Sequence, residues 1–519
     1  MGLEARLRLS WGVLCSLAVI LFTLGSVGCG SGNFTPPVTV ISPTAHPLVA
    51  QYSLRHFHSG LTAWVEFGTD TTYGRQTSVM TDADSVTLSG GQVLNILVAG
   101  MKPQTTYHMR AHVDWSGGSW VDQDQTFTTG PLPGTQPPTA PSSAGQFPGI
   151  NVTLPTPGLT PSPGVELLSL VNTPGLQGVV TDVKGNVIWY CPGTAIPIKF
   201  MQNGHFIINR NTDLQEVDLA CNTLRDVSLA QLNQSLQAHG YSFPPLNFFH
   251  HDMLVLPNGH WIALAQITKD FTDLPGYPGT IGVQGDVLID IDPNGNVVWA
   301  WSAFDHLDVN RHLQGFPDWT HSNALVYTAD GNLLLSVRHQ SWILKIDYAN
   351  GVGSGNILWK LGEDGDFTLL GGDPSQWFYA QHYPNVLSVD GSKTTLAIFD
   401  NGNLRIDSDG VACGSTPAAP ACYSRATIFL IDESTNLASL LWQDLPGYYS
   451  FWGGSIAVLA NGNVEFDSSD PSLSTFGSQI TEVTQNDNPQ VVWQMNITGA
   501  YAYRGDRIPS LYPGVTWQQ

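Results

Sequence analysis

The sequence predicts an all-β chain, a six-bladed β-propeller over residues 165–519 preceded by a small β-sandwich over residues 36–130. Three observations carry that prediction. Gly (53) and Pro (34) make 87 of 519 residues, accompanied by 16 Trp, 16 Tyr and 21 Phe, a mix that suits short strands and tight turns rather than helical bundles. A strand–turn–strand unit, often ending in Trp, recurs about every 59 residues after position 165. Asn-Gly and Asp-Gly turns punctuate the chain between those units.

Composition bounds the function before any motif is read. Charged residues are only 12%, and 20 Lys+Arg against 42 Asp+Glu give a net charge of −22, so a phosphate backbone has no basic patch to meet and nucleic acid is excluded as a partner. A hydrophobic content of 42% supports a core and excludes wholesale disorder.

At the N-terminus, Arg6 and Arg8 precede an uncharged run whose apolar heart is Trp11 to Leu24, which reads as a signal peptide over residues 1–28. Ser26-Val27-Gly28-Cys29-Gly30 resembles a bacterial lipoprotein cleavage site, making Cys29 the lipidation candidate and residues 29–35 a tether to a membrane; an ordinary signal peptide or an uncleaved anchor are the alternatives. Cys191, Cys221, Cys413 and Cys422 then remain, an even count that reads as disulfides in an exported protein. Cys413 and Cys422 flank a short segment and suit one another, which leaves Cys191 for Cys221. No CxxC or Cys/His zinc spacing occurs, so a structural zinc is not expected, and the reading calls for no metal or other cofactor.

Residues 36–130 carry strand-like runs at Leu61–Phe67, Gln92–Val98 and Met101–Ala111, and end in Phe127-Thr128-Thr129-Gly130. The Pro turn before a Thr-Tyr strand resembles fibronectin type III-like modules, and the domain reads as a scaffold or spacer. Residues 131–164 contain ten Pro, five Gly and no Asp, Glu, Lys or Arg, and read as an extended linker.

The repeat that follows is clearest in Val179-Val180-Thr181-Asp182 with Val187-Ile188-Trp189, and in Leu288–Asp292 with Val297-Val298-Trp299. Further copies end in Trp359, Trp442 and Trp493, and a degenerate one spans Gln215–Asp218 and Leu224–Val227. Each Trp is expected to pack blade on blade. Turns at Asn203-Gly204, Asn258-Gly259, Asp330-Gly331, Asp390-Gly391 and Asn461-Gly462 supply the second hairpin of five units, with positive φ expected at both turn residues. The Tyr501-to-Tyr512 region is expected to close the ring with the first repeat.

Three of the 15 histidines are aligned with the repeat. His250, His321 and His382 each stand three residues before the equivalent strand position, whereas neighbouring repeats have Ala195 and Gly453 there. Equivalent positions lie at equal radius and height, so the imidazoles should converge on the central channel. In Leu335-Ser336-Val337-Arg338-His339-Gln340, strand alternation would put Ser336, Arg338 and Gln340 on one face. A fixed cation, imidazoles and neutral donors together suit a small tetrahedral oxyanion, since guanidinium binds such anions bidentately and neutral imidazole can attack. Trp377, Phe378 and Tyr379 suit either phenol stacking or loop packing.

His250-His251-Asp252, Asp318-Trp319-x-His321-x-Asn323, Ser336-x-Arg338-x-Gln340, Gln381-His382 and Phe399-Asp400-Asn401-Gly402 occur in order, and together they resemble the bacterial arylsulfate sulfotransferase family. The resemblance implies a periplasmic six-bladed propeller behind a β-sandwich. It also implies sulfuryl transfer from a phenolic sulfate donor to a phenol acceptor through a sulfurylated histidine, without a nucleotide sulfate donor. Carried over, His382 is the nucleophile, His321 and Arg338 hold the sulfuryl oxygens, and His250 bonds the sulfate or ester oxygen. His251 is the alternative to His250; Asn323 and Gln340 join the substrate-binding set, with Arg405 at its rim or behind it. Rival readings are a wet channel lined by satisfied histidines, a three-histidine metal site (opposed by the arginine), a quinone-dependent propeller dehydrogenase, and a non-catalytic exported scaffold. A net charge of −22 repels an anionic ester at long range, so an enzyme of this kind must build its own positive field around Arg338.

Overall fold

A computed structural model describes residues 35–518, apart from 89–90, 134–146, 174, 407–409, 415–421 and 472–476. Residues 1–28, read above as a signal peptide, and Cys29 lie outside the described residues. The chain is nearly all-β, and no helix of the described residues is long and apolar enough to cross a membrane.

The N-terminal region forms two antiparallel sheets. One orders Val38–Pro43, Ala50–His56, Gly91–Val98 and Val86–Leu88; the other is built on Thr106–Trp115 between Gln125–Thr128 and Thr62–Gly68. Alternate residues turn inward, Tyr52 and Leu54 from one sheet meeting Val65, Phe67, Met109 and Ala111 from the other. The C-terminal tail ties this region to the rest of the chain. Tyr512 donates its hydroxyl to Leu97 O at 2.8 Å and accepts from Ala99 N at 2.7 Å, while Trp517 lies under the Arg75 guanidinium at 4.8 Å.

Six further sheets follow among the described residues, four of them four-stranded; all pairings are antiparallel except that of Thr368–Leu369 with Leu437–Asp444. Their first strands are Tyr501–Ile508, Ala195–Phe200, Phe248–Val255, Ser322–Tyr327, His382–Asp390 and Ser455–Val458. Phe248–Val255, Ser322–Tyr327, His382–Asp390, Ser455–Val458 and Tyr501–Ile508 touch in that order, and Ala195–Phe200 touches both Phe248–Val255 and Val165–Val171. Tyr501–Ile508 pairs with Val165–Val171, so the C-terminal strand completes the first sheet as the sequence suggests. Within the stretch read as linker, Gly149–Thr153 is a strand that pairs with Val491–Thr498.

The turns of the repeat are held by their own side chains. Asp182, Asp218 and Asp292 each accept the backbone N–H four residues on, from Asn186, Asn222 and Asn296, and bond the same asparagine's amide. The second set of turns differs from expectation. Gly204, Gly259, Gly331 and Gly462 have positive φ, but the preceding Asn or Asp residues do not, and each Gly N–H bonds the carbonyl three residues back. One left-handed residue after an ordinary turn gives the hairpin its bulge, so only the glycine position is demanding.

The repeat tryptophans bridge sheets. Trp189 Nε1 donates to Leu219 O at 2.8 Å, Trp442 Nε1 to Asn486 O at 3.0 Å and Trp493 Nε1 to Val183 O at 2.8 Å, each carbonyl belonging to the next sheet's turn. In the third sheet Trp301 takes this role toward Gly355 O, while Trp299 packs edge-on against Tyr348. Both cysteine pairs are at disulfide distance, with Cα separations of 5.9 Å for Cys191–Cys221 and 5.6 Å for Cys413–Cys422, which points to an oxidising, exported environment.

Candidate active site

The first strands of the third, fourth and fifth sheets carry a register slip, as does that of the second between Ala195 and Ile198, where no histidine stands. Their register slips between Phe249 and Met253, between Ser322 and Ala324, and between His382 and Asn385. A bulge re-aims side chains, and here it coincides with His250-His251, His321 and His382. His251 and His321 take positive φ of 55° and 47°, an unusual conformation for a residue with a Cβ.

The rings meet as a connected cluster. His251 lies 4.9 Å from His250 and 4.6 Å from His321, measured between centroids, and His321 stacks on His339 at 4.5 Å. Tyr503 lies 5.4 Å from His251 and 6.0 Å from His382, linking the two sides. His251 and His321 are half-buried, whereas His382 is only 2% exposed.

Hydrogen bonds assign the tautomers. His382 Nε2 accepts the Gly453 N–H at 3.2 Å, so its proton sits on Nδ1 and is donated to Asn401 Oδ1 at 2.7 Å. Asn401 presents that oxygen because its amide nitrogen is spent on Ser450 O and Gly453 O, at 2.9 and 3.0 Å. Gly453 has φ 64°, and a Cβ there would stand 2.0 Å from Ser469 Oγ, so only glycine brings this N–H to the imidazole. His321 donates Nδ1–H to Asp318. His250 Nε2 lies 3.3 Å from the Asp286 carboxylate, and His250 Nδ1 and His251 Nδ1 share a hydrogen bond at 2.7 Å. Nε2 of His321 and of His382 thus carries the lone pair, and Nε2 of His251 faces away from its bond to His250.

Burial first, and the Arg338 guanidinium second, hold the His382 pKa well below the usual imidazole value. Burial and the neighbouring His321 and His250 do the same for His251. Burial alone would raise Asp286, but His250 and Ser322 outweigh it and bring that carboxyl down to about 2. The nucleophile candidate is therefore a neutral imidazole at neutral pH, as attack requires.

Arg338 supplies the fixed charge. Its Nη2 donates to Phe451 O at 3.0 Å and its Nη1 to His339 Nε2 at 2.7 Å, while Nε is buried without a partner. Arg405, Arg425 and Arg504 are equally buried, and each is ion-paired, to Asp400, Asp400 and Asp252. Among the described residues Arg338 is the buried arginine with no carboxylate partner. Burial lowers its pKa to about 10, still protonated at neutral pH.

The expected strand face at Ser336, Arg338 and Gln340 is corrected. The strand ends at Val337, and Arg338–Gln340 form a 3₁₀ turn closed by Ser341 N to Arg338 O at 3.1 Å. Alternation stops there. Ser336 Oγ accepts from Gln381, and Gln340 spends its amide on Trp319 O and its oxygen on Arg311, away from the imidazoles. Arg405 is likewise buried against Asp400 rather than set at a rim. Asn323 donates to Gln381 O at 2.7 Å, leaving its buried Oδ1 without a partner. Trp377, Phe378 and Tyr379 are buried in an apolar cluster with Phe429, which decides for loop packing. The half-buried aromatic beside Arg338 is instead Phe451.

Sequence reasoning assigned no role to Asn401, His339, Tyr503 or Arg504. Arg504 was findable, because cations are so scarce in this chain. It bonds Asp252 at 3.1 Å and Asn323 O at 2.9 Å, joining two histidine-bearing strands. Asp318, His321 and His339 offer ligand atoms close enough for a metal, but His339 Nε2 already faces the Arg338 cation, which disfavours a second positive charge.

No curated protein matches the chain. Among solved structures, a DUF4221 family member from Bacteroides vulgatus shares 8% identity at a TM-score of 0.32, covering 69% of this chain and 97% of its own. A DUF4784 family protein from Bacteroides caccae shares 9% at 0.23, covering 85% and 80%, and a Synechocystis apocarotenoid oxygenase variant 10% at 0.25, covering 91% and 95%. Likeness at that level carries no argument. The family model described as arylsulfotransferase (ASST) matches residues 165–504, well over half of the chain and all of the histidine-bearing sheets. With that match spanning His250, His321, Arg338 and His382 alike, the chain belongs to the arylsulfotransferase family.

Proposed function

We propose that the protein is an arylsulfate sulfotransferase that moves a sulfuryl group from a phenolic sulfate ester to a phenol through sulfo-His382, without a nucleotide sulfate donor. Family membership supports sulfotransferase activity on small molecules generally. The observation that carries the finer reading is Arg338, a buried guanidinium with no carboxylate partner, set where it depresses the pKa of His382. An anionic group is the natural complement of that pair.

In the first half-reaction the His382 Nε2 lone pair attacks sulfur and the sulfur–oxygen bond to the aryl group breaks. The aryl oxygen leaves as the phenolate and takes its proton from solvent. Gly453 N–H, released when Nε2 bonds sulfur, is free to donate to a sulfuryl oxygen. Asn401 keeps its bond to Nδ1–H throughout. In the second half-reaction an acceptor phenol gives its proton to the His321 Nε2 lone pair, on a ring oriented by Asp318, as its oxygen attacks sulfur and the nitrogen–sulfur bond breaks. Arg338 stabilises charge on the sulfuryl oxygens, with His251 and, behind it, His250 lining the pocket; by analogy with an oxyanion hole, one such donor contributes roughly 3–4 kcal/mol.

The six sheets with successively touching first strands support a six-bladed propeller, and the two preceding sheets a fibronectin type III-like sandwich acting as a spacer. The disulfides fit export, and a lipid tether at Cys29 belongs to the same proposal. The test is release of 4-nitrophenol from 4-nitrophenyl sulfate with and without a phenol acceptor. Acceptor-stimulated release is expected; release independent of acceptor means hydrolysis, and none across a broad donor panel returns the chain to the scaffold reading.

A further inference from the structure

Residues 449–453 hold both sides of the site at once. Gly453 N–H bonds His382 Nε2, Ser450 O and Gly453 O fix Asn401, and Phe451 O accepts from Arg338 Nη2 and, at 3.0 Å, from Asn403 Nδ2. A sulfuryl group bound between Arg338 and His382 is therefore flanked by this segment's backbone, and whatever the sulfur carries must lie beside its side chains. Those side chains are Phe451 and Trp452. Both are half-buried, and Phe451 has its ring centroid 5.3 Å from the Arg338 guanidinium carbon. Trp452 is braced edge-on against Tyr501 at 5.2 Å. Phe451 is thus the aromatic side chain next to a sulfuryl group on Arg338, whereas the aromatics at 377–379 are sealed in the core.

We propose that Phe451, with Trp452 beside it, is the aryl-recognition surface of the site and selects phenolic over aliphatic esters and acceptors. The inference rests on the sulfotransferase reading for the place of the sulfuryl group. Stacked or edge-on aromatic pairs contribute modestly but specifically, so the effect belongs in affinity for the aryl part and not in the sulfuryl pocket. The Phe451 carbonyl that holds Arg338 is backbone and survives substitution of the side chain.

Binding of 4-nitrophenyl sulfate and of inorganic sulfate to the full chain, measured by calorimetry for the unsubstituted protein, Phe451→Ala and Phe451→Tyr, tests this apart from turnover. Phe451→Ala is expected to weaken the aryl ester about tenfold while leaving inorganic sulfate unchanged, and Phe451→Tyr to keep both. An unchanged ratio of the two affinities in Phe451→Ala overturns the proposal. So does equal loss of both in Phe451→Ala, which would mean that the side chain positions Arg338 instead. Absent turnover with intact binding would count against the reaction and not against this surface.

Discussion

Asn401 Oδ1 accepts the Nδ1 proton of His382 at 2.7 Å, and its amide nitrogen is bound to two carbonyls so that it cannot turn round. The nucleophilic lone pair is thereby fixed on Nε2 before any substrate arrives. Asn401→Leu removes the acceptor and permits the wrong tautomer, and kcat for 4-nitrophenyl sulfate should fall about 10- to 100-fold, the range for residues that orient a functional histidine. Asn401→Asp keeps an acceptor but adds an anion, so it should retain more activity and move the acid limb of the pH profile upward.

His382→Ala should abolish transfer while the thermal unfolding midpoint changes little. The side chain sits at a sheet's inner end, outside every apolar cluster of the core. Activity retained in that variant, followed as 4-nitrophenol release, would falsify the nucleophile assignment.

Arg338→Lys should be almost as damaging as Arg338→Ala, each lowering kcat/KM by roughly 100- to 1,000-fold, because the ammonium lacks the forked donors that hold Phe451 O and a sulfuryl oxygen together. Near wild-type kinetics for the lysine variant would mean that only net charge matters at this position.

His382 and His251 are held well below 6.5 in the folded state. Neutral His382 persists through the usual imidazole range, so the acid limb of kcat should lie below pH 6.5. Stability follows with a definite sign. Below pH 6.5 the unfolded chain binds protons at these residues and the folded chain does not, so stability falls as pH falls. The loss of melting temperature between pH ~7.5 and ~5.5 should be smaller in His382→Ala than in the unsubstituted protein, since buried Glu166, Glu465 and Asp467, whose values burial raises, act with the opposite sign in both; an unchanged difference would contradict the depressed His382 value.

Cys191 ends the first sheet and Cys221 lies in a turn of the second, 30 residues on. Replacing both by Ser should cost about 3–4 kcal/mol by loop-closure entropy, read as a lower denaturation midpoint without a change of fold.

The sequence by itself determined the β class, the repeat, both cysteine pairs and the three histidines, because each is written in local chemistry. Period-two burial, Asp-x-x-x-Asn turns, glycines at left-handed positions and cysteine count need no knowledge of distant residues. Arg338 was legible as the unusual cation, but its setting was not: the strand stops at Val337 and the 3₁₀ turn sends Gln340 to Trp319 and Arg311. Only the tertiary structure decided which arginines are neutralised, which histidine of the 250–251 pair faces His321, and that Asn401 and Gly453 share the task of fixing His382. Those outcomes depend on bulges, left-handed backbone and hydrogen bonds between sheets, and residues 19 to 113 positions apart meet in them. No pattern along the chain encodes such meetings, because they are fixed by how successive sheets pack around their inner strands.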